Sequence, residues 1–198
     1  YVNTPDFEGS LESGFSKSIE AIIQQLVQST TEIDTNKALI IPNVNLKPIE
    51  VEKIKDTISL FGYEVFSLPD LSESLDGHLG LKQGALTSGG ISVEDIKKLG
   101  CSSLVFTIGQ SVEKCGSKIL EKNPNIKLFH FDSLGGLEAS DKFFKVLCEI
   151  KNISQPHPSI VRWRKRLQDA LLDTHFVIGN SKVVIALEPD QALSVANT

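Results

Sequence analysis

Residues 163–190 read WRKRLQDALLDTHFVIGNSKVVIALEPD, and this stretch indicates how the chain folds. Its first half predicts an amphipathic helix, because apolar residues recur three, four or seven positions apart and charged residues fill most positions between them. The apolar positions are Ile160, Leu167, Leu171 and Ile178. Gly179 can adopt the left-handed conformation that ends a helix. The apolar run 183–187 lacks polar alternation and therefore predicts a strand covered on both faces, as in a parallel sheet.

Short apolar runs alternate with helical segments in the preceding part of the chain. We predict strands over 38–41, 64–68, 103–107 and 127–131, and helices over 49–61, 92–99 and 111–122. Strands that alternate with helices form parallel sheets with helices on both faces. The predicted fold class is therefore α/β: a Rossmann-like parallel four-stranded sheet flanked by helices, with additional long helices and the start of a further Rossmann-like domain.

The same pattern predicts four regions along the chain. We expect residues 1–36 to lead in from a missing N-terminal domain by an extended segment and a helix that begins near Ser10. A polar linker over 29–37 is predicted after that helix. A Rossmann-like domain over 37–132 and connecting helices over 133–180 follow, and 181–198 begin a truncated C-terminal domain.

Two observations suggest that this is a piece of a longer protein. The chain begins with Tyr1 and contains no methionine. Only eleven residues follow the last predicted strand, which is too few for the crossover and partner strand of a parallel arrangement.

Composition narrows the class of protein. The chain has 198 residues, of which 40% are hydrophobic and 23% are charged, and this composition is typical of an ordinary globular protein. A net charge of −5 argues against nucleic acid as the main partner. No apolar run approaches the roughly 18 residues of a membrane span, and no signal peptide is apparent, so we expect a cytoplasmic protein. Cys101, Cys115 and Cys148 are odd in number and far apart, as is typical of reduced structural thiols.

The recognisable catalytic motifs are missing from the sequence. There is no Gly-x-Ser-x-Gly, no Gly-x-Gly-x-x-Gly and no phosphate-binding loop. The four histidines, His78, His130, His157 and His175, are assigned mainly structural roles. The basic cluster Arg162, Arg164, Lys165 and Arg166 is either a solvated or ion-paired helix face, or a site for phosphate or an acidic partner.

A loop over 69–90 follows the second predicted strand. It is long for a compact domain, and a loop of this length is usually either functional or disordered. It also lies where open α/β sheets hold ligands.

Several motifs resemble those of the nitrogenase component 1 superfamily, in particular its cofactor-assembly branch. The most specific is Leu172-Asp173-Thr174-His175-Phe176, followed by Gly179 and by Glu188-Pro189-Asp190. Thr4-Pro5-x-Phe7-x-Gly9-Ser10 and Gly136-Leu137-x-Ala139-x-Asp141 are also similar to family segments. The resemblance extends from Tyr1 to Asp190.

The resemblance implies a scaffold subunit for assembly of the nitrogenase iron-molybdenum cofactor. Such a subunit would form a heterotetramer with a NifE-like partner and hold a cofactor precursor while molybdenum and homocitrate are inserted, with the nitrogenase Fe protein as transient donor. Ligands of the iron-sulfur cluster and of the precursor would lie mostly outside this chain. The alternatives are an oxidoreductase, namely a nitrogenase β subunit or a related protochlorophyllide reductase subunit, and an unrelated Rossmann-like binding module.

Asp6 is the one candidate metal ligand that the resemblance suggests. The family's catalytic β subunit carries a serine directly after Thr-Pro whose hydroxyl can ligate its large cluster, and Asp6 occupies that position here. A carboxylate can ligate iron, but a turn or helix-start aspartate is the other interpretation. The substitution argues against a catalytic β subunit.

Overall fold

The predicted parallel sheet is present in the computed structural model, which describes residues 2–4, 8–71 and 89–198. Its strands are β1 (Asp34–Pro42), β2 (Glu64–Ser67), β3 (Ser102–Ile108) and β4 (Lys127–Phe131). They lie in the order β2-β1-β3-β4, and each neighbouring pair is parallel. At the centre of the sheet, Leu39 lies between Phe66 of β2 and Val105 of β3.

The chain divides into two compact units, Tyr1–Phe131 and Asp132–Thr198. The first unit contains the sheet with α1 (Leu11–Leu26), α2 (Pro48–Ser59), α3 (Val93–Lys98) and α4 (Glu113–Lys122), and with short 3-10 turns at Leu99–Cys101 and Gln110–Val112. The second unit contains α5 (Gly136–Lys151), α6 (Pro158–Ile178) and α7 (Pro189–Ala196). Within the described ranges, no helix combines the length and apolarity needed to cross a membrane.

Helix starts follow local hydrogen bonding, as predicted for two of them. Ser10 caps α1 in a reciprocal arrangement with Ser13, and the Ser92 hydroxyl accepts a hydrogen bond from the backbone N–H of Asp95 at the start of α3.

The core beside the sheet is built from the apolar faces of α1, α3 and α4. It includes Ile19, Ile23, Ile96 and Ile119 from the helices and Leu39, Ile41 and Val105 from the strands.

Two helical glycines provide a matched test of packing. A Cβ added at Gly116 in α4 would lie 2.8 Å from both Leu128 Cδ1 and Thr107 Cγ2, whereas one added at Gly14 in α1 would meet nothing within 4 Å beyond its own helix. Alanine improves helix propensity by roughly 0.5–1 kcal/mol at either site, but overpacking costs about 1–3 kcal/mol. We expect Gly14→Ala to raise the urea midpoint of unfolding and Gly116→Ala to lower it. Shifts of the same sign would contradict this account of the α4 contact.

The predicted linker over 29–37 is wrong in its second half. β1 begins at Asp34, four positions before the predicted start at residue 38. Asp34 pairs with Ser102, and the register is irregular between Asp34 and Ala38, so polar side chains extend the strand without entering the core. The Ser103 hydroxyl also donates to the carbonyl oxygen of Lys37 at 2.9 Å.

The end of α6 agrees with the prediction in position but not in conformation. The helix ends at Ile178, yet Gly179 has φ −59° and ψ −22°, which is right-handed and not left-handed. Of the predicted apolar stripe, Ile160 is buried, Leu167 and Leu171 are half-buried and Ile178 is exposed.

The predicted strand over 183–187 is not formed. These residues have no regular secondary structure, and Val183 and Val184 are 72% and 92% exposed. An extended segment becomes a strand only when a neighbouring strand takes its backbone hydrogen bonds, and none pairs with it in the described part of the chain. Glu188, the residue after this segment, is the N-cap of α7.

Candidate functional site

The carboxyl ends of β1 and β3 mark the point where the order of strands reverses. From β1 the chain passes to β2 on one side of the sheet, and it then returns to β3 on the other side. Crossover connections leave a crevice at such a point, which is where open α/β sheets bind ligands. Polar groups at this edge of the first unit are therefore the first candidates for function.

A chain of hydrogen bonds joins α1 to the end of β1 at this edge. The backbone N–H of Asn43 donates to the Ile108 carbonyl at 2.9 Å, which ties β1 to β3. Asn43 Oδ1 accepts from the backbone N–H of Asn45 at 2.9 Å, and Asn45 Nδ2 donates to Glu12 Oε1 at 2.6 Å. Glu12 and Asn43 are buried. This network fixes the start of α1 against the edge of the sheet.

The sequence analysis did not single out these residues. The available signals were the polar pair Asn43 and Asn45 directly after a buried strand, and an acidic residue, Glu12, in the first turn of α1. Neither signal matches a recognised catalytic motif, so only the folded arrangement brings them together.

A second polar contact lies at the end of β2. Lys55 Nζ of α2 forms an ion pair of 2.6 Å with Asp70 Oδ2, and the Ser67 hydroxyl donates to the Pro69 carbonyl at 2.6 Å. These bonds hold the first residues of the loop predicted over 69–90. Residues 72–88 of that loop, including His78, lie outside the described residues.

A groove of about 360 Å³ borders the start of α1. Its lining includes Thr4, Glu8, Ser10 and Lys17, which places it next in sequence to the predicted metal ligand Asp6. Asp6 itself lies outside the described residues. The groove combines a carboxylate, an ammonium and hydroxyl groups, and Ser10 is already engaged in capping α1.

The cysteines do not assemble a ligand set for an iron-sulfur cluster. The Cys115 thiol is buried and lies 3.6 Å from the Ser16 hydroxyl, and burial raises its pKa to about 11, although the Ser16 hydrogen bond opposes this. Burial also raises the pKa of Cys148. Cluster ligation requires thiolates grouped around iron. Across the described ranges, no three His, Cys, Asp or Glu side chains group to hold a metal, and the three cysteines are free thiols.

Two of the histidines, His130 and His157, form hydrogen bonds that stabilise the fold. Thr107 and His130 pair in register across β3 and β4, and the Thr107 hydroxyl lies 2.8 Å from His130 Nδ1. His157 caps α6 by accepting a hydrogen bond from the Ser159 backbone N–H. His175 lies in the last turn of α6 with its ring edge-on to Phe176.

The basic cluster of α6 is partly ion-paired. Both Nε and Nη2 of Arg164 donate to the Asp141 carboxylate at 2.7 Å, and Nη1 donates to Gln168 at 2.8 Å. This forked contact links α5 to α6 within the second unit. Arg166 lies over the Trp163 ring at 4.6 Å from its centroid. The interpretation of an ion-paired face therefore holds for Arg164, while Arg162, Lys165 and Arg166 remain exposed.

The Asp141 contact predicts a specific dependence of stability on pH. The hydrogen bond from Arg164 holds the pKa of the Asp141 carboxyl below its usual value. A carboxyl with a lowered folded pKa stabilises the fold above its unfolded pKa of about 3.9, and this contribution is lost as the pH falls through the lower folded pKa. We expect Asp141→Asn to lower the melting temperature at pH 7 and to have little effect in strong acid. Glu138→Gln, whose partner Lys142 lies on the same helix, is the control. An Asp141→Asn deficit that persists unchanged in strong acid would contradict this account.

The junction residues that carry the family resemblance lie in the second unit. Asp173 is exposed on α6, whereas Asp190 is buried in the first turn of α7. The Ser133 hydroxyl donates to the Ser194 hydroxyl of α7 at 2.8 Å, so α7 is hydrogen-bonded to the segment before α5. Asp190 lies in the first turn of α7, where a negative charge is favourable at the helix N-terminus.

Comparisons with known proteins agree with the fold and with these motifs. The family model of nitrogenase component 1 type oxidoreductases matches residues 1–198. The nitrogenase iron-molybdenum cofactor biosynthesis protein NifN of Mesorhizobium japonicum is 37% identical over 195 residues, which is 98% of this chain and 42% of that protein. The NifN protein of Nostoc sp. is 35% identical over 190 residues, which is 96% of this chain and 42% of that protein.

A solved structure shows the same architecture. A chain of nitrogenase Cp1 at pH 6.5 superposes with a TM-score of 0.86 and 27% identity, covering 98% of this chain and 42% of that one. The chain thus spans about two fifths of the length of the relatives it matches. The resemblance predicted from the sequence is confirmed: the chain belongs to the nitrogenase component 1 type oxidoreductase family.

Proposed function

We propose that the protein containing this chain is a scaffold subunit for assembly of the nitrogenase iron-molybdenum cofactor. The observation that carries the proposal is the match of nearly the whole chain to proteins named NifN at 35–37% identity. The match includes both units, so it rests on more than a shared sheet.

In this proposal the cofactor precursor is bound transiently and then passed on. This part of the protein forms one side of the binding site and contacts the neighbouring subunit. The described residues offer no grouped ligand set, and the buried Cys115 thiol is held protonated at neutral pH. What they offer is a rigid edge, built from the hydrogen-bonded Glu12, Asn43 and Asn45. Such an edge can position a bound group or a neighbouring subunit without reacting with it.

The proposed partners follow from the same likeness. A NifE-like subunit would complete a heterotetramer and supply most ligands of the precursor, and the nitrogenase Fe protein would bind transiently as donor. The iron-sulfur cluster of the complex would be ligated by residues outside this chain.

The proposal extends to Asp6 as a residue that faces the cluster. We expect Asp6→Ala to reduce the iron retained by the purified complex or to change its electron paramagnetic resonance spectrum. Glu8→Ala, two residues away in the groove at the start of α1, is the matched control and should leave both unchanged. An Asp6→Ala complex with unaltered iron content and spectrum would assign Asp6 to a turn or helix start.

A catalytic subunit is the second candidate, favoured by the 27% identity to a nitrogenase chain over 98% of this chain. The discriminating experiment uses the complete polypeptide, produced with its NifE-like subunit under strict anaerobiosis. A [4Fe-4S] signal together with a precursor cluster, and no reduction of dinitrogen or protochlorophyllide, is the expected result. Substrate reduction by the complex would establish the catalytic alternative, and an iron-free complex would contradict both.

A further inference from the structure

The buried face of α1 begins with a carboxylate. The buried residues of this helix are Glu12, Ser16, Ile19 and Ile23, and their spacings of four, three and four residues place them on one face. Ile19 and Ile23 belong to the core beside the sheet. Glu12 is only 4% exposed, although glutamate is rarely buried unless it is paired. Apolar packing therefore does not explain the residue that opens this face.

Stability does not explain the buried carboxylate either. A negative charge in the first turn is favourable at a helix N-terminus, but this effect does not require burial. Taking a carboxylate out of water is costly, and buried charges are often no more stabilising than apolar side chains of similar size. A hydrogen bond to a charged group is short and has a defined geometry, whereas apolar cores lose a unique arrangement before they lose stability. A buried carboxylate is thus better suited to fixing a position than to adding stability.

The position that Glu12 fixes lies beside the crevice at the carboxyl edge of the sheet. Glu12 Oε1 accepts a hydrogen bond of 2.6 Å from Nδ2 of Asn45, which lies between β1 and α2 where the order of strands reverses. The groove at the start of α1 is lined by Ser10, Leu11 and Gly14, on either side of Glu12 in the sequence. This hydrogen bond therefore sets the start of α1, and the groove along it, relative to the crevice.

We propose that Glu12 is a positioning residue of the scaffold, which holds the start of α1 in the arrangement needed to retain iron and pass the cofactor on. The inference rests on the function proposed above. Glu12 acts through α1 and the groove, and it does not itself ligate iron. Hydrogen bonds that only orient a metal site typically contribute about 10–100-fold to metal affinity or activity.

The test separates positioning from stability. Glu12→Leu/Asn45→Leu replaces both partners by apolar side chains, while the backbone N–H of Asn45 keeps its hydrogen bond to Asn43 Oδ1. The complete protein is produced under strict anaerobiosis with the subunits that it binds. We expect the urea midpoint of unfolding to stay at or above that of the wild type, while the rate of activating a cofactor-free nitrogenase falls about 10-fold or more. The iron content and the electron paramagnetic resonance spectrum should change with the rate.

Two further variants complete the design. Glu12→Gln keeps an oxygen that can accept from Asn45 Nδ2 and should retain most of the wild-type rate. Glu12→Ser, whose hydroxyl is too short to reach Asn45, replaces the double variant if that protein fails to fold. The control is Asn125→Leu, which removes the hydrogen bond from Asn125 Nδ2 to the Thr31 carbonyl just before β4, at the opposite edge of the sheet. It should leave the rate and the spectrum unchanged.

The outcomes distinguish this inference from the proposed function. A double variant that is as active as an active wild type would overturn the inference alone. A fall in rate that is matched by a fall in the urea midpoint would assign Glu12 to stability, and an inactive Glu12→Gln would show that the charge is required and not the hydrogen bond. A wild-type complex that neither retains iron nor activates the cofactor-free nitrogenase would overturn the proposed function, and the inference with it.

Discussion

Replacing Leu39 by alanine is expected to destabilise the first unit by about 2–5 kcal/mol. Leu39 is fully buried at the centre of β1, where it belongs to the same buried cluster as Ile23 of α1 and lies beside Val105 of β3. Removing its side chain loses apolar burial and leaves a cavity that neighbours on three elements cannot fill without moving. Urea unfolding followed by circular dichroism measures the loss.

Leu11→Ala is the matched control for this prediction. Leu11 begins α1 and is 63% exposed, so the same chemical change removes little buried surface. We expect a change within about 0.5 kcal/mol. Equal losses for the two variants would show that β1 is not the centre of the core.

Replacing Asn123 by aspartate is expected to cost about 3–5 kcal/mol at neutral pH. The Asn123 amide is fully buried at the end of α4, where Nδ2 donates to the carbonyl oxygens of Glu32 at 2.9 Å and Gly100 at 2.8 Å. Aspartate has the same shape but no amide hydrogens, so a carboxylate would face two acceptors. The loss should shrink as the pH falls from neutral toward about 4, because burial beside two carbonyl oxygens raises the pKa of the carboxyl in the folded state above its unfolded value, and the protonated carboxyl can donate one hydrogen bond.

Asn125→Asp is the corresponding control on the same turn. Asn125 Nδ2 donates to the Thr31 carbonyl at 3.1 Å, but the side chain is exposed, so water replaces the lost hydrogen bond. A loss below about 1 kcal/mol is expected. If Asn123→Asp unfolded no more easily than Asn125→Asp at neutral pH, the proposed role of the buried amide would be wrong.

Most of the sheet could be predicted from the chain because its signals are local. Each strand is a short apolar run between helical segments, and β4 has the predicted bounds of 127–131. Ser10 and Ser92 also marked helix starts correctly, since capping involves residues only three positions apart. β1 exceeded its prediction because Asp34 gains a pairing partner in β3, which no local pattern reveals.

The segment 183–187 shows where local pattern is insufficient. Its apolar run has the composition of a buried strand, yet strand pairing depends on a neighbouring strand that can be distant in the sequence. Asn123 and Glu12 illustrate the same limit for polar residues, because their partners are 23 and 33 positions away. The family motifs identified the family, which the spacing of apolar residues could not do, because the motifs compare whole segments of sequence with those of known proteins.

The function proposed for the complete protein is assembly of the iron-molybdenum cofactor without reduction of substrate by the protein itself. The most direct measurement incubates the purified complex, loaded under strict anaerobiosis with molybdenum and homocitrate, with a cofactor-free nitrogenase. The nitrogenase Fe protein and a reductant are then supplied to every sample, and the ammonia formed from dinitrogen is measured. We expect ammonia formation only when the cofactor-free nitrogenase is present. Ammonia formed by the complex alone, or a loaded complex that leaves the cofactor-free nitrogenase inactive, would contradict the claim.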